Sequence, residues 1–246
     1  MKRLLCAILL VSAALQPRQG RADRFVPDAE YKPTPRWFHV EVKFGPYKPD
    51  VDKEFGGGAT PYKDIFGGGL RLMTQLTADL LFLKLHGSLG VGGTFGYFQA
   101  KGKALSEDGS KSSDKTTLQF MPFVLSLVYR WDYPIYKWGI PLVPYIRVGL
   151  ACAAWWITDG SGDTASLGEG EKARGSTFGY QINLGLAFLL DALEQSSAKK
   201  LDMDLGINHS YLFVEFVHNR LDDFGSKSSI DLSMKYSLLA GLALEF

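Results

Sequence analysis

From Ile230 to the end of the chain, apolar residues recur at every second position. Ile230, Leu232, Met234, Tyr236, Leu238, Ala240, Leu242, Leu244 and Phe246 share one parity, and Asp231, Ser233, Lys235, Ser237, Leu239, Gly241, Ala243 and Glu245 share the other. Strand side chains point alternately to two faces, so the pattern predicts one long strand with an apolar side and a mostly polar side. Soluble strands usually stop after about five or six residues, whereas a strand this long can cross a bilayer at a tilt. The same dyad recurs three times. Phe178, Tyr180, Ile182, Leu184, Leu186 and Phe188 oppose Gly179, Gln181, Asn183, Gly185 and Ala187. Ile146, Val148, Leu150, Cys152, Ala154 and Trp156 oppose Arg147, Gly149, Ala151, Ala153 and Trp155. Phe38, Val40, Val42 and Phe44 oppose His39, Glu41, Lys43 and Gly45.

Four less regular stretches, 66–76, 83–97, 118–131 and 203–218, complete the strands. The last changes parity between Asp204, Gly206 and Asn208 on one side and Glu215 on the other, which predicts a β-bulge near His209 and Ser210. Long polar or Gly-rich connections (46–64, 101–115, 159–175, 220–228) alternate with shorter ones (77–80, 132–141, 191–201). The predicted fold is all-β: a transmembrane, antiparallel, up-and-down β-barrel of eight strands. Its termini and short turns face the periplasm, and its long loops face outward.

Composition agrees with a barrel, with Phe 16, Tyr 11, Trp 5 and Gly 27, and no apolar run reaches the length of a helical span. Alternation alone does not say which face is out. A soluble barrel would hide the apolar face, and a membrane barrel would hide the polar one. Three features favour the second. The polar parity is rich in Gly, Ala and Ser, and it carries charges of both signs. Aromatics also gather at strand ends, Trp131, Tyr133, Tyr136 and Trp138 at one level and Trp155 and Trp156 at the other, as amphipathic rings do at bilayer interfaces. The expected lumen network is Glu41, Asp204, Glu215 and Asp231 set against Lys43, Arg71, Lys84, Arg130, Arg147 and Lys235, with Glu245 also available. Eight strands leave room only for side chains, so the lumen is expected to be plugged.

Lys2 and Arg3, the apolar stretch 4–15 and Gly20-Arg21-Ala22 have the layout of a secretory signal peptide, predicted as residues 1–22, with the barrel domain at 23–246. Cleavage would leave Cys152 alone, so the fold would rest on hydrogen bonds and packing rather than a disulfide. With 27 basic and 26 acidic residues and no basic stripe, nothing points to nucleic acid.

The segments Phe44-Gly45-Pro46-Tyr47-Lys48-Pro49-Asp50, Gly87-Ser88-Leu89-Gly90-Val91-Gly92, the stretch from Gly206 to Glu215, and Gly241-Leu242-Ala243-Leu244-Glu245-Phe246 resemble a myxobacterial-type family of outer-membrane β-barrel proteins. The resemblance implies fold and location but no substrate. The terminal Phe246, with Leu244 and Leu242 before it, is similar to the signal read by the barrel assembly machinery.

Other motifs have plainer readings. His209, Ser210 and Glu215 could serve a hydrolase, but adjacent strand residues face opposite ways and no oxyanion site is recognisable. The histidines lack metal spacing, and Asp159-Gly160-Ser161-Gly162-Asp163 lacks the later ligands of a calcium loop. No catalytic, cofactor-binding or metal residue is assigned. The expected function is a structural or loop-mediated interaction role without enzymatic activity. The expected partners are outer-membrane lipid and lipopolysaccharide, the assembly machinery and a loop-binding partner. The alternatives are an outer-membrane enzyme acting on lipid A or peptides, and a small-solute or lipid-binding barrel.

Overall fold

Eight long strands close into an antiparallel barrel in the computed structural model, which describes residues 36–55, 58–84, 86–105, 111–168, 171–226 and 230–246. The predicted signal peptide lies outside the described residues. The barrel strands are β1 (Phe38–Tyr47), β2 (Arg71–Lys84), β3 (Ser88–Leu105), β4 (Lys111–Arg130), β5 (Leu142–Thr158), β8 (Arg174–Leu189), β9 (His209–Leu221) and β10 (Met234–Glu245). Two short strands, β6 (Ser166–Gly168) and β7 (Glu171–Lys172), pair in the connection between β5 and β8. Each barrel strand pairs with its neighbours in sequence, and β1 closes the ring on β10, with His39 opposite Glu245 and Phe44 opposite Ala240. The seam is tied at its foot by Phe246, whose N–H donates to the Phe38 carbonyl (2.8 Å) and whose carbonyl accepts from the N–H groups of Trp37 (2.7 Å) and Phe38 (3.0 Å). Closure pairs backbone groups that an open sheet edge would leave free.

The alternation predicted for β1, β5, β8 and most of β10 is observed. Polar and small residues face inward, and large apolar residues face outward. Three expectations fail. The turn expected at 77–80 lies beyond Lys84, because Gln75, Thr77 and Asp79 continue the inward parity of β2 and pair across to β3, Thr77 with Thr94 and Asp79 with Gly92. Asp79 resembles a turn residue only until its partner is known, and that partner is an interior arginine. Residues 203–205 are not strand. They end helix α3 (Gln195–Leu205), which Gly206 stops in the left-handed conformation at φ 71°. The bulge expected at His209 and Ser210 is absent, and β9 pairs with β10 in unbroken register from Val217–Ser237 to His209–Glu245. At the other end of β10, Leu232 leaves the outer face and is buried in the barrel mouth.

Connection length does not alternate as expected either. The connection predicted as 101–115 is mostly strand, since β3 runs to Leu105 and β4 starts at Lys111. The connection between β8 and β9, predicted short, carries α3. At the same terminal end, helix α2 (Tyr133–Trp138) joins β4 to β5 and sets Trp138 against Trp131 (ring centroids 6.0 Å apart), while the exposed Tyr136 ring lies under the Arg36 guanidinium (5.0 Å). At the loop end, the β1–β2 connection folds inward. It carries helix α1 (Pro61–Phe66), where Pro61 starts the helix and the Asp52 carboxylate accepts from the N–H groups of Tyr62 (2.6 Å) and Lys63 (3.2 Å).

Candidate functional site

The barrel interior concentrates the chain's chemistry, and β1 begins it. Inward parity places His39, Glu41 and Lys43 one above another, all buried. From β5, Arg147 reaches across the lumen and donates to both the Asp79 carboxylate on β2 (Nη2–Oδ2, 3.0 Å, with a second bond from Nη1) and Glu41 Oε1 (3.0 Å). Lys43 Nζ lies 2.8 Å from Glu215 Oε1 on β9 and 3.3 Å from Glu41 Oε2. Glu215 also accepts from Asn183 Nδ2 of β8 (2.7 Å) and from the Tyr145 hydroxyl (3.1 Å). The charges thus form one chain of contacts, Asp79–Arg147–Glu41–Lys43–Glu215, drawn from four strands. Ions buried this deeply persist only when paired and hydrogen-bonded.

A second arginine extends the network toward the terminal end. Arg130 Nη1 lies 2.7 Å from His39 Nε2, and its guanidinium sits over the Tyr211 ring (5.0 Å) and the Tyr145 ring (5.8 Å). Guanidinium groups do not give up a proton, so His39 Nε2 is the acceptor and the histidine proton lies on Nδ1. That atom is 3.4 Å from both Glu41 Oε1 and Asp79 Oδ2. The Tyr211 hydroxyl donates to Glu245 Oε2 (2.8 Å). Glycine makes room at two points. A Cβ on Gly92 would run into Asp79 and Arg147, and one on Gly185 would run into the Tyr145 ring.

Five of the ten predicted network residues meet in this layer: Glu41, Lys43, Arg130, Arg147 and Glu215. The other five do not. Arg71 is at the loop end, donating to the Phe66 carbonyl (2.7 Å). Lys84 is exposed at the terminal end of β2, Asp204 is exposed on α3, and Asp231 sits in the β9–β10 loop, accepting from the Ser233 N–H. Lys235 is exposed, with its ammonium 5.3 Å from the Tyr236 ring centroid. Each lies at or beyond a strand end, where parity no longer decides direction. Asp79, His39 and Asn183 belong to the network but not to the predicted set. The polar–apolar alternation from Gln75 to Leu80 was the available signal for Asp79.

Toward the loop end the interior changes character. Tyr47, Phe98 and Phe120 pack with ring centroids 4.7–5.6 Å apart, joined by Met73, Leu118 and Leu221. Loops complete the layer, with Val51, Tyr62 and Phe66 from one side and Leu232 from the other. The Tyr47 hydroxyl donates to the Leu232 carbonyl (2.5 Å). Burial pushes the Tyr62 hydroxyl up to about 12. Trp155, expected in an aromatic girdle, packs against this cluster instead.

As for what the interior could hold, His39, Glu41 and Asp79 each offer a ligand atom, all within 4.8 Å of one another. Arg147 already lies on both carboxylates, and Arg130 on the imidazole, so the chain's own cations fill the place an ion would take. The hydrolase candidates do not converge. Glu215 is deep in the lumen, while at the terminal end His209 Nδ1 (2.7 Å) and Ser210 Oγ (3.1 Å) both turn to the single carboxylate of Asp191. Asp191 here ties a turn to β9, and no bond joins histidine to serine.

No protein-family model matches the chain, and no curated protein matches it. Among solved structures, it is similar to the outer membrane protein OprG from Pseudomonas aeruginosa, at 14% identity and a TM-score of 0.49, over 87% of this chain and 97% of that one. It is also similar to Neisserial surface protein A, at 11% identity and a TM-score of 0.46, over 86% of this chain and 97% of that one. A third likeness is to Ail, the attachment invasion locus protein of Yersinia pestis, at 12% identity and a TM-score of 0.41 over the same shares, 86% and 97%. With scores this low, none of the three bears on function.

Proposed function

We propose that the chain is a transmembrane β-barrel of a Gram-negative outer membrane, with a filled lumen, a structural or loop-mediated interaction role and no reaction of its own. The observation that carries this reading is the inverted placement of polarity. Leu125, Leu150 and Leu184 stand 71, 67 and 54% exposed on the outer wall, while Glu41, Lys43, Arg147 and Glu215 are at most 1% exposed inside. In water this arrangement would expose apolar surface at every strand and bury the ions that water would solvate. In hydrocarbon both placements are favourable. The shortest barrel strand has 10 residues, enough for a tilted crossing. The myxobacterial-type resemblance belongs to the same proposal. So do export, the orientation with termini in the periplasm, contact with lipid and lipopolysaccharide, a partner for the loops, and reading of Phe246, Leu244 and Leu242 by the assembly machinery.

The test uses nitroxide labels on cysteines at positions 184 and 181 of one strand, with Cys152 replaced, in reconstituted bilayers. Lipid-dissolved oxygen should collide often with a label at Leu184 and seldom with one at Gln181. The reverse pattern, or no contact at either, overturns the membrane reading.

A further inference from the structure

On the outer wall of β2 to β5, two features lie one above the other. Near mid-height Ala78 of β2 stands opposite Gly93 of β3, both on the outer face. Their small size leaves an apolar groove of about 620 Å³ bounded by Leu76, Phe95, Phe123, Leu125 and Leu150. A Cβ added to Gly93 would meet nothing within 4 Å, so the groove is open toward the surroundings. Further toward the loop end, the same outer parity carries Gln99, Lys101 and Lys103 on β3 and Lys115, Thr117 and Gln119 on β4. Lys103 and Lys115 lie directly opposite each other. Like charges facing across a strand pair are unfavourable unless something anionic lies between them. Among the described residues none of the three lysines has an ion-pair partner, and Asp114, next to Lys115, lies on the other parity.

The spacing of the two features matches a lipid. Eight positions of β3 separate Gly93 from Lys101, about 26 Å of strand or about 19 Å of depth at the usual barrel tilt, which is half the hydrocarbon thickness plus the first few Å of the headgroup layer. Phosphate at the lysines would therefore put an acyl chain in the groove. Amide and hydroxyl groups, Gln99, Thr117 and Gln119, lie on the way, where a sugar would sit. We infer that this wall binds a phosphorylated glycolipid of the outer leaflet, with phosphates on Lys101, Lys103 and Lys115 and one acyl chain over Gly93. The site rests on the membrane reading above and adds a specific ligand to it.

The full chain, folded in a zwitterionic detergent, is titrated in native mass spectrometry with bisphosphorylated lipid A, its dephosphorylated form, and phosphatidylglycerol. The bisphosphorylated form should bind roughly tenfold tighter than the dephosphorylated one, and Lys103→Gln/Lys115→Gln should remove that preference. Gly93→Phe, which fills the groove, should weaken both lipid A forms by roughly fivefold without altering heat-modifiable migration on gels. If Gly93→Phe does not fold, the lysine variant decides. Phosphatidylglycerol binding as tightly as bisphosphorylated lipid A, or an unchanged preference in the lysine variant, overturns the site while leaving the membrane reading standing. A chain that folds in neither detergent nor bilayer overturns both.

Discussion

Toward the terminal end the lumen holds an ionic network set among the buried groups of Val143, Tyr145, Leu189, Tyr211 and Phe213; toward the loop end it holds rings and aliphatic side chains, some delivered by loops, with no buried ion among the described residues. The two layers share the same strands, so the difference lies in what each depends on. In the ionic layer every member is held by another strand, and Arg147 alone joins β5 to carboxylates on β1 and β2. Removing one partner there leaves another charge buried without compensation. In the apolar layer Tyr47, Phe98 and Phe120 exclude one another's neighbours by shape, and loss of one group leaves a cavity that the loops can partly close. A buried ion pair adds little net stability over an apolar replacement of the same size, but it penalises wrong register heavily. The contrast suggests that the ionic layer defines which strands meet, while the apolar layer shuts the mouth.

The sharpest way to break the comparison is Arg147→Met. It leaves Asp79 with the His39 imidazole alone and sheds one of the two cations on Glu41, and it should cost about 3–5 kcal/mol, the range for a buried pair cut on one side. Urea unfolding in lipid vesicles, followed by tryptophan fluorescence, measures it. Pairing it with Asp79→Leu should recover much of the loss. A double variant no better than the single one would mean that Arg147 acts by packing alone.

Leu232→Ala probes the other layer and should cost less, about 2 kcal/mol, near the lower end for a buried leucine because a loop can settle into the gap. Its effect should also be local. Proteolysis within the loops should quicken, while the heat-modified gel shift of the barrel stays. Collapse of the whole barrel would show that the two layers are not independent.

How much of this was legible beforehand follows the same division. Inside a strand, parity alone assigns direction, so Glu41, Lys43, Arg147 and Glu215 were readable as lumen residues, and Arg130, the last residue of β4, keeps the inward parity of its strand. At strand ends, chain direction is set by contacts made after folding. That is why Arg71, Lys84, Asp204, Asp231 and Lys235 were misplaced and why the inward swing of Leu232 gave no sign. Asp79 was missed for a different reason. Its neighbours Thr77 and Ala78 resemble a turn, which masked the alternation from Gln75 to Leu80 that carries the inward parity of β2 through Asp79. The apolar layer was invisible because Val51, Tyr62 and Phe66 join it from a loop with no periodicity.

Deleting Phe246 sharpens the comparison from the seam. The folded barrel would lose three backbone hydrogen bonds to Trp37 and Phe38 at a frayed end, about 1 kcal/mol net. The proposed assembly signal would also be removed, so the yield of folded protein in the outer membrane should fall further than urea stability does. Equal falls in both would count against a role in recognition.

The smallest effect is expected at the loop end, where an acid lies among other acids. Glu54, in the turn Val51–Glu54 beside the apolar layer, has its carboxyl pushed up to about 7 from an ordinary 4.5. Partial burial contributes most, followed by the Asp231, Asp222 and Asp223 carboxylates nearby. The sign follows from proton binding. The folded loop holds the proton more tightly than the unfolded chain, so the stabilising contribution is fully present below about 4.5 and is lost as the pH rises through about 7. Because Glu54 is an exposed residue, solvent screens the repulsion and the change in stability should be slight. The loops, rather than the barrel, should report it. Hydrogen exchange at residues 51–55 and 230–233 should quicken between pH 5 and pH 8 by more than the intrinsic rate does. Glu54→Gln, which keeps the shape and removes the charge, should hold the low-pH protection across that window. If the wild-type protection instead falls toward low pH, the bond that the Glu54 carboxylate accepts from the Asp231 backbone N–H outweighs burial and repulsion, and the loop closes by attraction rather than by shape.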